Sequence, residues 1–468
     1  MRELTILLEN DKKRPLYEQI YADIRAKIRA GDIPSGERLP SARALAAHLQ
    51  VSRSTVDLAY ARLQDEGYVV PVPCRGFFVC DVETLYELPV DEEVKGQDED
   101  SKPQEKSWRY DFSVNGIDAQ GFPFTVWNRL TKAALLDTEQ HMFTQGQSRG
   151  EAGLREALRE YLHYARGVEC SASQIVIGAG NDYLLFLLSV ILGREHRIAM
   201  EHWTYVSAGN CFRMLGYPVV PVGMDASGMD CADLAASGAD IAYVMPSHQF
   251  PTGTVMTMER RTSLLRWARE KKGRYIIEDD YDSEFRYSGH PLPALQGYDG
   301  GQQVIYLGTF SKSIAPSIRI SYMVLPKTLL EAYHQRAECF ATTVSRIDQK
   351  VLEQFIRQGY FERHLNRMRN CYKQKHDHLV EILQSYTDVF GVYGENAGLH
   401  MLLKPLQPVD VGSMQKRARD AGINISQLTQ YSIQTQPDTE ENGLLLGYAT
   451  IPSGQLKDAV TALFAAIL

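Results

Sequence analysis

No run in the 468 residues approaches the roughly 18 consecutive apolar positions that a helix needs to cross a bilayer. The opening MRELTILLENDKKRPLYEQ also lacks an apolar stretch of signal-peptide length, so the expectation is a cytoplasmic protein with no membrane partner. Cysteine is sparse. The seven (Cys74, Cys80, Cys170, Cys211, Cys231, Cys339, Cys371) are odd in number and show neither CxxC nor Cys/His spacing, which excludes a disulfide framework and a zinc site. Most are expected to be inert buried thiols. Disordered and fibrous compositions are lacking too: 44% hydrophobic and 23% charged residues suit a folded chain with room for two or three cores. Nor is there a surplus of basic charge, since the net charge is −8, and this excludes a chain coated throughout for nucleic acid. Residues 1–80 nevertheless hold 12 Lys+Arg against 10 Asp+Glu, about +2, which leaves about −10 for the remainder.

The sharpest change of composition is DVETLYELPVDEEVKGQDEDSKPQEKSW, Asp81 to Trp108, with ten acidic residues and no sustained periodicity. That is the composition of a solvated, flexible linker. It divides the chain into residues 1–80, a linker over 81–109, and residues 110–468. Before the linker, Leu16, Ile20, Ile24 and Ile28 recur every fourth residue and predict one helix with an apolar stripe, started by Pro15 and stopped by Gly31. After it, helical stretches alternate with QIVIG, IAYVM, RYIIED and QVIYLG. That alternation predicts an α/β fold with a mainly parallel sheet, and no internal repeat is present.

In LPSARALAAHLQVSRSTVDLAYARLQDEGYVVPVPCRGFFV two short helices flank a tight turn, with Ser41 and Ser52 as their N-caps. Leu45 and Leu49 of the first and Val56, Tyr60 and Leu63 of the second are expected to face inward. Arg53, Ser54, Thr55 and Asp57 then lie outward at the start of the second helix, where a recognition helix meets base edges and phosphates. YVVPVPCRGFFV predicts a hairpin with Arg75 and Gly76 at its tip, a wing able to set a guanidinium against a nucleic-acid backbone. Periodicity alone equally allows a small helical packing domain with charged loops.

The longer part carries pieces that suit a pyridoxal-type cofactor. Such a group needs a lysine for its aldehyde, an anion beside the pyridine nitrogen, an aromatic over the ring and donors for the phosphate. GTFSKSIAPSIRI offers Lys312 with Thr309, Ser311 and Arg319 around it, hydroxyls and a guanidinium that fit a dianion. RYIIEDDYDSEF ends a buried strand with carboxylates, so Asp279 can hold the pyridinium proton and Tyr281 can reach the ring hydroxyl. Each motif taken alone also fits a polar loop or a solvated strand end.

Residues 14–80, including the Gly31–Ala46 run G-x-x-x-x-G-x-x-L-P-S-x-R-x-L-A, resemble the GntR-type winged helix, an N-terminal α+β winged helix-turn-helix. The resemblance implies that Arg43, Ser52, Arg53 and Thr55, with Arg75 in the wing, contact operator DNA. GEAGLREALREYL, VIGAGNDYL, PSHQFPTG, EDDYDSEF and GTFSKSIAPSIR occur in the order and spacing of class I pyridoxal phosphate enzymes. Residues 110–468 therefore resemble the α/β PLP-dependent transferase fold, type I, aspartate aminotransferase-like. By that resemblance Lys312 bonds the cofactor, Ala179, Gly180 and Asn181 give backbone donors to its phosphate, and Tyr205 stacks on its ring. The two parts together resemble the MocR/GabR regulators, which implies a homodimer whose heads reach across to the partner's body.

The pattern breaks where amino-acid-responsive members clamp a carboxylate with two arginines: the matching positions read Ser207 and Gln430, the latter followed by Tyr431. Each missing bidentate contact costs about 1.5–3 kcal/mol, roughly 10- to 150-fold in affinity. Arg346 or Arg149 are the candidate substitutes. Three functions are then open. One is a regulator that senses pyridoxal phosphate itself, or a small amine or amino acid. A second is a working aminotransferase with an accessory DNA-binding head, disfavoured by the missing clamp because turnover must hold a carboxylate. A third is an architectural DNA-binding protein with an inert body.

Overall fold

The computed structural model describes residues 6, 8, 14–81, 108–136, 143–287, 292–395, 397–434 and 442–468. The chain separates into two compact units, Met1–Glu105 and Lys106–Leu468. Most of the acidic segment read as a linker, residues 82–107, lies outside the described residues.

The first unit is built on α1 (Leu16–Arg29), α2 (Ala42–Leu49), α3 (Arg53–Asp65) and an antiparallel hairpin of β1 (Val69–Val72) and β2 (Gly76–Val79). Ile20, Ile24 and Ile28 are buried against Val56, Ala59, Tyr60 and Leu63, which gives a small dry core. Leu16 departs from the expected stripe: in the first helical turn it is 40% exposed. Leu45 is buried as expected, whereas Leu49, at the last turn of α2, is only partly so. Ser41 and Ser52 cap their helices, accepting from the backbone N–H of Ala44 and Thr55 at 3.2 Å each. The Tyr60 hydroxyl donates to the Pro40 carbonyl at 2.9 Å, tying the Leu-Pro-Ser turn to α3.

Among the described residues of the second unit, seven strands form one sheet. They are β3 (Ile175–Gly178), β4 (Ile198–Glu201), β5 (Val219–Val222), β6 (Ile241–Val244), β7 (Tyr275–Asp280), β8 (Val304–Thr309) and β9 (Ser321–Val324), in the order β3-β9-β8-β7-β6-β4-β5. β9 alone runs antiparallel to its neighbours. β3, β4, β6 and β9 are buried throughout, the continuous apolar pattern of strands covered on both faces. β5 carries Pro221, which is admissible because the strand lies at the sheet's edge. A second, four-stranded antiparallel sheet with Phe390–Tyr393, His400–Pro405, Ser426–Gln427 and Leu444–Gly447 has its own apolar core. No helix among the described residues is long and apolar enough to cross a membrane. The cysteines correct one expectation: none is fully buried, Cys74 and Cys339 being exposed and the other five partly covered.

Candidate functional site

Ligands of open α/β sheets bind beyond the carboxyl ends of the strands, and the second unit has a cleft there. Asn115, Asn181, Tyr205, Phe250, Asp279, Tyr281, Ser311, Lys312 and Arg319 are among its lining residues, and it encloses about 200 Å³. β7 delivers Asp279 and, just past its end, Tyr281; β8 ends at Thr309 and turns at once into Ser311 and Lys312. The sheet register sets Asp279 beside Leu307, so carboxylate and lysine come from adjacent strands of a rigid element.

The Lys312 ammonium donates to the Val114 carbonyl at 2.7 Å. Burial pushes it down to about 8, against the opposing charge of Asp282. His364 braces the same turn, its Nε2 2.9 Å from the Ser313 carbonyl. The Asp279 carboxylate accepts from Asn181 Nδ2 at 3.0 Å and from the Tyr243 hydroxyl. Burial pushes it up to about 6, with the hydrogen bonds from Tyr243 and Asn181 opposing. A cationic ring nitrogen beside it is the partner that would restore its charge. Tyr205 sets its ring edge-on to Phe250, with centroids 6.4 Å apart. Burial raises its phenol, against a hydrogen bond from Ser207.

At the other end of the cleft, α4 (Asn181–Leu192) starts without a side-chain cap, leaving its first amides directed at the cleft mouth. Gly180, at φ +91° and ψ 170°, makes the entry turn. Arg319 lies over it: a Cβ on Gly180 would fall 2.1 Å from Arg319 Nη2. Arg319 is itself held at φ +53°, a conformation unusual for a residue with a side chain, and pairs loosely with Asp182 at 3.6 Å.

Two of the expected phosphate donors are already engaged. The Ala179 N–H donates to Thr343 Oγ1 at 3.0 Å and the Gly180 N–H to the Gly178 carbonyl at 2.9 Å, so of the three only Asn181 has its amide in the helix's uncapped first turn. Thr309 also lines the cleft, donating to Ser311 Oγ at 3.0 Å while accepting from the Ser311 N–H and the Ser321 hydroxyl. The substitute clamps are engaged elsewhere too. Arg346 is bidentate on Glu151 at 2.9 and 3.0 Å, and Arg149 donates to the Ser173 carbonyl at 2.6 Å. Gln430 is exposed and caps its own 3-10 turn, Leu428–Tyr431. Sequence reasoning passed over Asn115, Thr343, His248 and His364, although His248 stands inside the quoted PSHQFPTG.

In the first unit Arg43, Arg53 and Arg75 are all exposed. Arg53 pairs with Asp57 at 3.4 Å across an exposed helix turn. Ser52 and Thr55 are turned toward each other, their hydroxyls 2.7 Å apart, as part of the cap of α3. The wing tip is Pro73–Arg75, with Cys74 at φ +59° and Gly76 at φ +104° forcing the reversal, and the Arg75 guanidinium lies 5.6 Å from the Phe78 ring centre.

A lysine with a lowered pKa, a buried acid, an aromatic wall and a helix start with a guanidinium above it are the donor set pyridoxal phosphate requires, and the cleft fits that group. The description "Aminotransferase class I and II" matches residues 111–463, and "Bacterial regulatory proteins, gntR family" matches residues 16–79. Fold and cleft thus define a one-chain helix-turn-helix regulator with an aminotransferase-type body. The chain belongs to the MocR/GabR subfamily of GntR-type transcriptional regulators. It is 36% identical over 468 residues, 99% of each chain, to YdeL of Bacillus subtilis (strain 168), an uncharacterized HTH-type transcriptional regulator. It is 30% identical over 482 residues, 99% of this chain and 96% of the other, to the probable rhizopine catabolism regulatory protein MocR of Rhizobium meliloti. The pyridoxine biosynthesis regulator PdxR of Corynebacterium glutamicum is 29% identical over 451 residues, 96% of this chain and 95% of its own. Among solved structures, an archaeal alanine:glyoxylate aminotransferase at 23% identity covers 76% of this chain and 90% of its own with a TM-score of 0.69, which shows the fold.

Proposed function

We propose that this chain is a DNA-binding transcription regulator whose signal is pyridoxal phosphate itself, held on Lys312 in a body that does not turn over amino acids. One observation carries the choice of signal: Arg319 is the only arginine lining the cleft among the described residues, and it sits at the phosphate end, over Gly180. Ser207 is bonded to Tyr205, Gln430 faces its own turn, and Arg149 and Arg346 are engaged elsewhere. A free amino acid would find no bidentate partner for its carboxylate.

When bound, pyridoxal phosphate supplies an aldehyde that bonds covalently to a primary amine. Lys312 presents that amine, Asp279 holds a proton at the ring nitrogen, and Tyr205 covers the ring. Arg319, Ser311 and the Asn181 amide take the phosphate. In the head, Arg43, Arg53 and Arg75 contact operator phosphates and bases, while Ser52 and Thr55 chiefly hold the start of α3. The unit acts as a homodimer, supported by Phe124, Leu136 and Phe143, large apolar side chains exposed on the body. A ligand shifts the DNA-competent population only through its differential affinity for the two states.

The test is operator binding by cofactor-free protein, by loaded protein, and by loaded protein with each common amino acid and ω-amino acid. Loading with pyridoxal phosphate is expected to change DNA affinity about tenfold, about 1.4 kcal/mol. A change of that size on adding one amino acid, with none on loading, overturns the choice of signal. Multiple turnovers in a transamination assay would overturn the regulator-only body.

A further inference from the structure

His248 lies in the loop after β6, 2% exposed, and nothing assigned so far uses it. Its Nδ1 stands 3.1 and 2.9 Å from the two oxygens of Asp282 and 2.9 Å from the Tyr281 hydroxyl. Its ring lies 28° from parallel with that of Tyr281. Asp282 is equally buried. The space is made by Gly398, where a Cβ would come within 2.0 Å of His248 Cε1 and 2.9 Å of Asp282 Oδ2.

One ring nitrogen cannot donate to a carboxylate and accept from a phenol at once. The other nitrogen decides between the two. His248 Nε2 is buried without a hydrogen-bond partner among the described residues, so a proton there would be left unsatisfied, at a cost of about 1–3 kcal/mol. The proton therefore belongs on Nδ1, donated to Asp282. Nδ1 then has no lone pair for Tyr281, whose hydroxyl proton goes to Asp282 beside the cleft wall that Tyr281 shares with Lys312. Because Nδ1–H already faces both oxygens of Asp282, that carboxylate keeps a donor when the Tyr281 hydroxyl turns to a ring oxygen in the cleft.

We propose that His248 and Asp282 are a positioning pair that fixes Tyr281 as a hydrogen-bond donor to the ring oxygen of pyridoxal phosphate, and through it sets the proton balance where Lys312 meets the cofactor. This rests on the cofactor assignment above. The other groups facing the pair and its target are few. His400, its ring centre 5.4 Å from that of His248, spends Nε2 on the Pro251 carbonyl at 3.0 Å and is held down at about 3 by burial and by His248. Asp279 and Asp280 join Asp282 in raising the Tyr281 phenol beyond what burial does, and Lys312 feels chiefly Asp282.

The test uses the full-length protein loaded with pyridoxal phosphate, reading the pH midpoint of its visible absorption and the rate of cofactor loss on dilution. His248→Gln and Asp282→Asn are expected to move the midpoint by about one pH unit and to speed cofactor loss about tenfold. His248→Asn, whose amide can donate from the place of Nδ1, is expected to behave as the parent. In a Tyr281→Phe background His248→Gln is expected to add nothing, because the pair acts through that hydroxyl. An equal further shift in that background assigns His248 a merely structural role and overturns the proposal. So does a folded Asp282→Asn protein with unchanged midpoint and loss rate. Absence of any visible band in the parent instead overturns the cofactor assignment, and the proposal with it.

Discussion

Replacing Gly180 by alanine asks whether the phosphate end of the cleft is built as described. At φ +91° and ψ 170° the position lies in a region open almost only to glycine, so the added Cβ strains the turn by about 1–3 kcal/mol. The same Cβ falls 2.1 Å from Arg319 Nη2 and 2.7 Å from its Cζ. Either the turn yields or the guanidinium leaves. The guanidinium ends a flexible side chain and among the described residues is held by an exposed ion pair with Asp182, so it is the part that moves. Losing a charge-assisted contact to the phosphate costs about 1.5–3 kcal/mol, or roughly 10- to 150-fold in affinity. Equilibrium titration of Gly180→Ala with pyridoxal phosphate, followed by visible absorbance, reads this directly, and urea unfolding of the cofactor-free protein reads the strain. Arg319→Ala should match its cofactor loss without its instability. Gly180→Ala protein that binds the cofactor as tightly as the parent would refute the placement of Arg319 over the phosphate.

Lys312→Ala is expected to keep the fold and lose borohydride-stable attachment of a pyridoxyl group, checked by intact mass; an adduct retained in that variant would remove Lys312 from its role. Covalent capture requires the neutral amine, and Lys312 is pushed down to about 8, so the capture rate of the cofactor-free protein should climb as pH rises through about 8 and flatten above it. A rate still climbing steeply beyond about pH 9.5 would show an ordinary lysine. Arg53→Ala and Arg75→Ala should each weaken operator binding and lower the salt dependence by about one ion, with cofactor absorbance unchanged. Equal affinity across a salt series would remove those side chains from the DNA surface.

Where residue type forces local geometry, the sequence was easy to read. Ser41 and Ser52 cap as expected because an N-cap is a local device, and the buried strands read as short apolar runs. Lys312, Asp279 and Arg319, read from separate motifs because each chemistry needs one residue type, line one cleft. What escaped were hydrogen bonds between distant segments. Thr343 takes the Ala179 amide from 164 positions away, and the pairing of Arg346 with Glu151 spans 195. No periodicity or spacing announces such partners, so a donor looks free in sequence and proves engaged in space. Leu16 failed for a different reason: a four-residue repeat gives the stripe but not how far along the helix it is covered.

The contact between Lys312 and the Val114 carbonyl has a thermodynamic consequence of its own. A single nitrogen has two claimants, a carbonyl early in the body and an incoming aldehyde, and cannot satisfy both. With Lys312 in its proposed role, taking up the cofactor releases Val114, in the stretch that follows the acidic segment in sequence. Linkage makes the trade reciprocal: whatever steadies that stretch weakens cofactor capture by the same factor by which capture loosens the stretch. With one hydrogen bond worth about 1 kcal/mol, the exchange biases the equilibrium roughly fivefold.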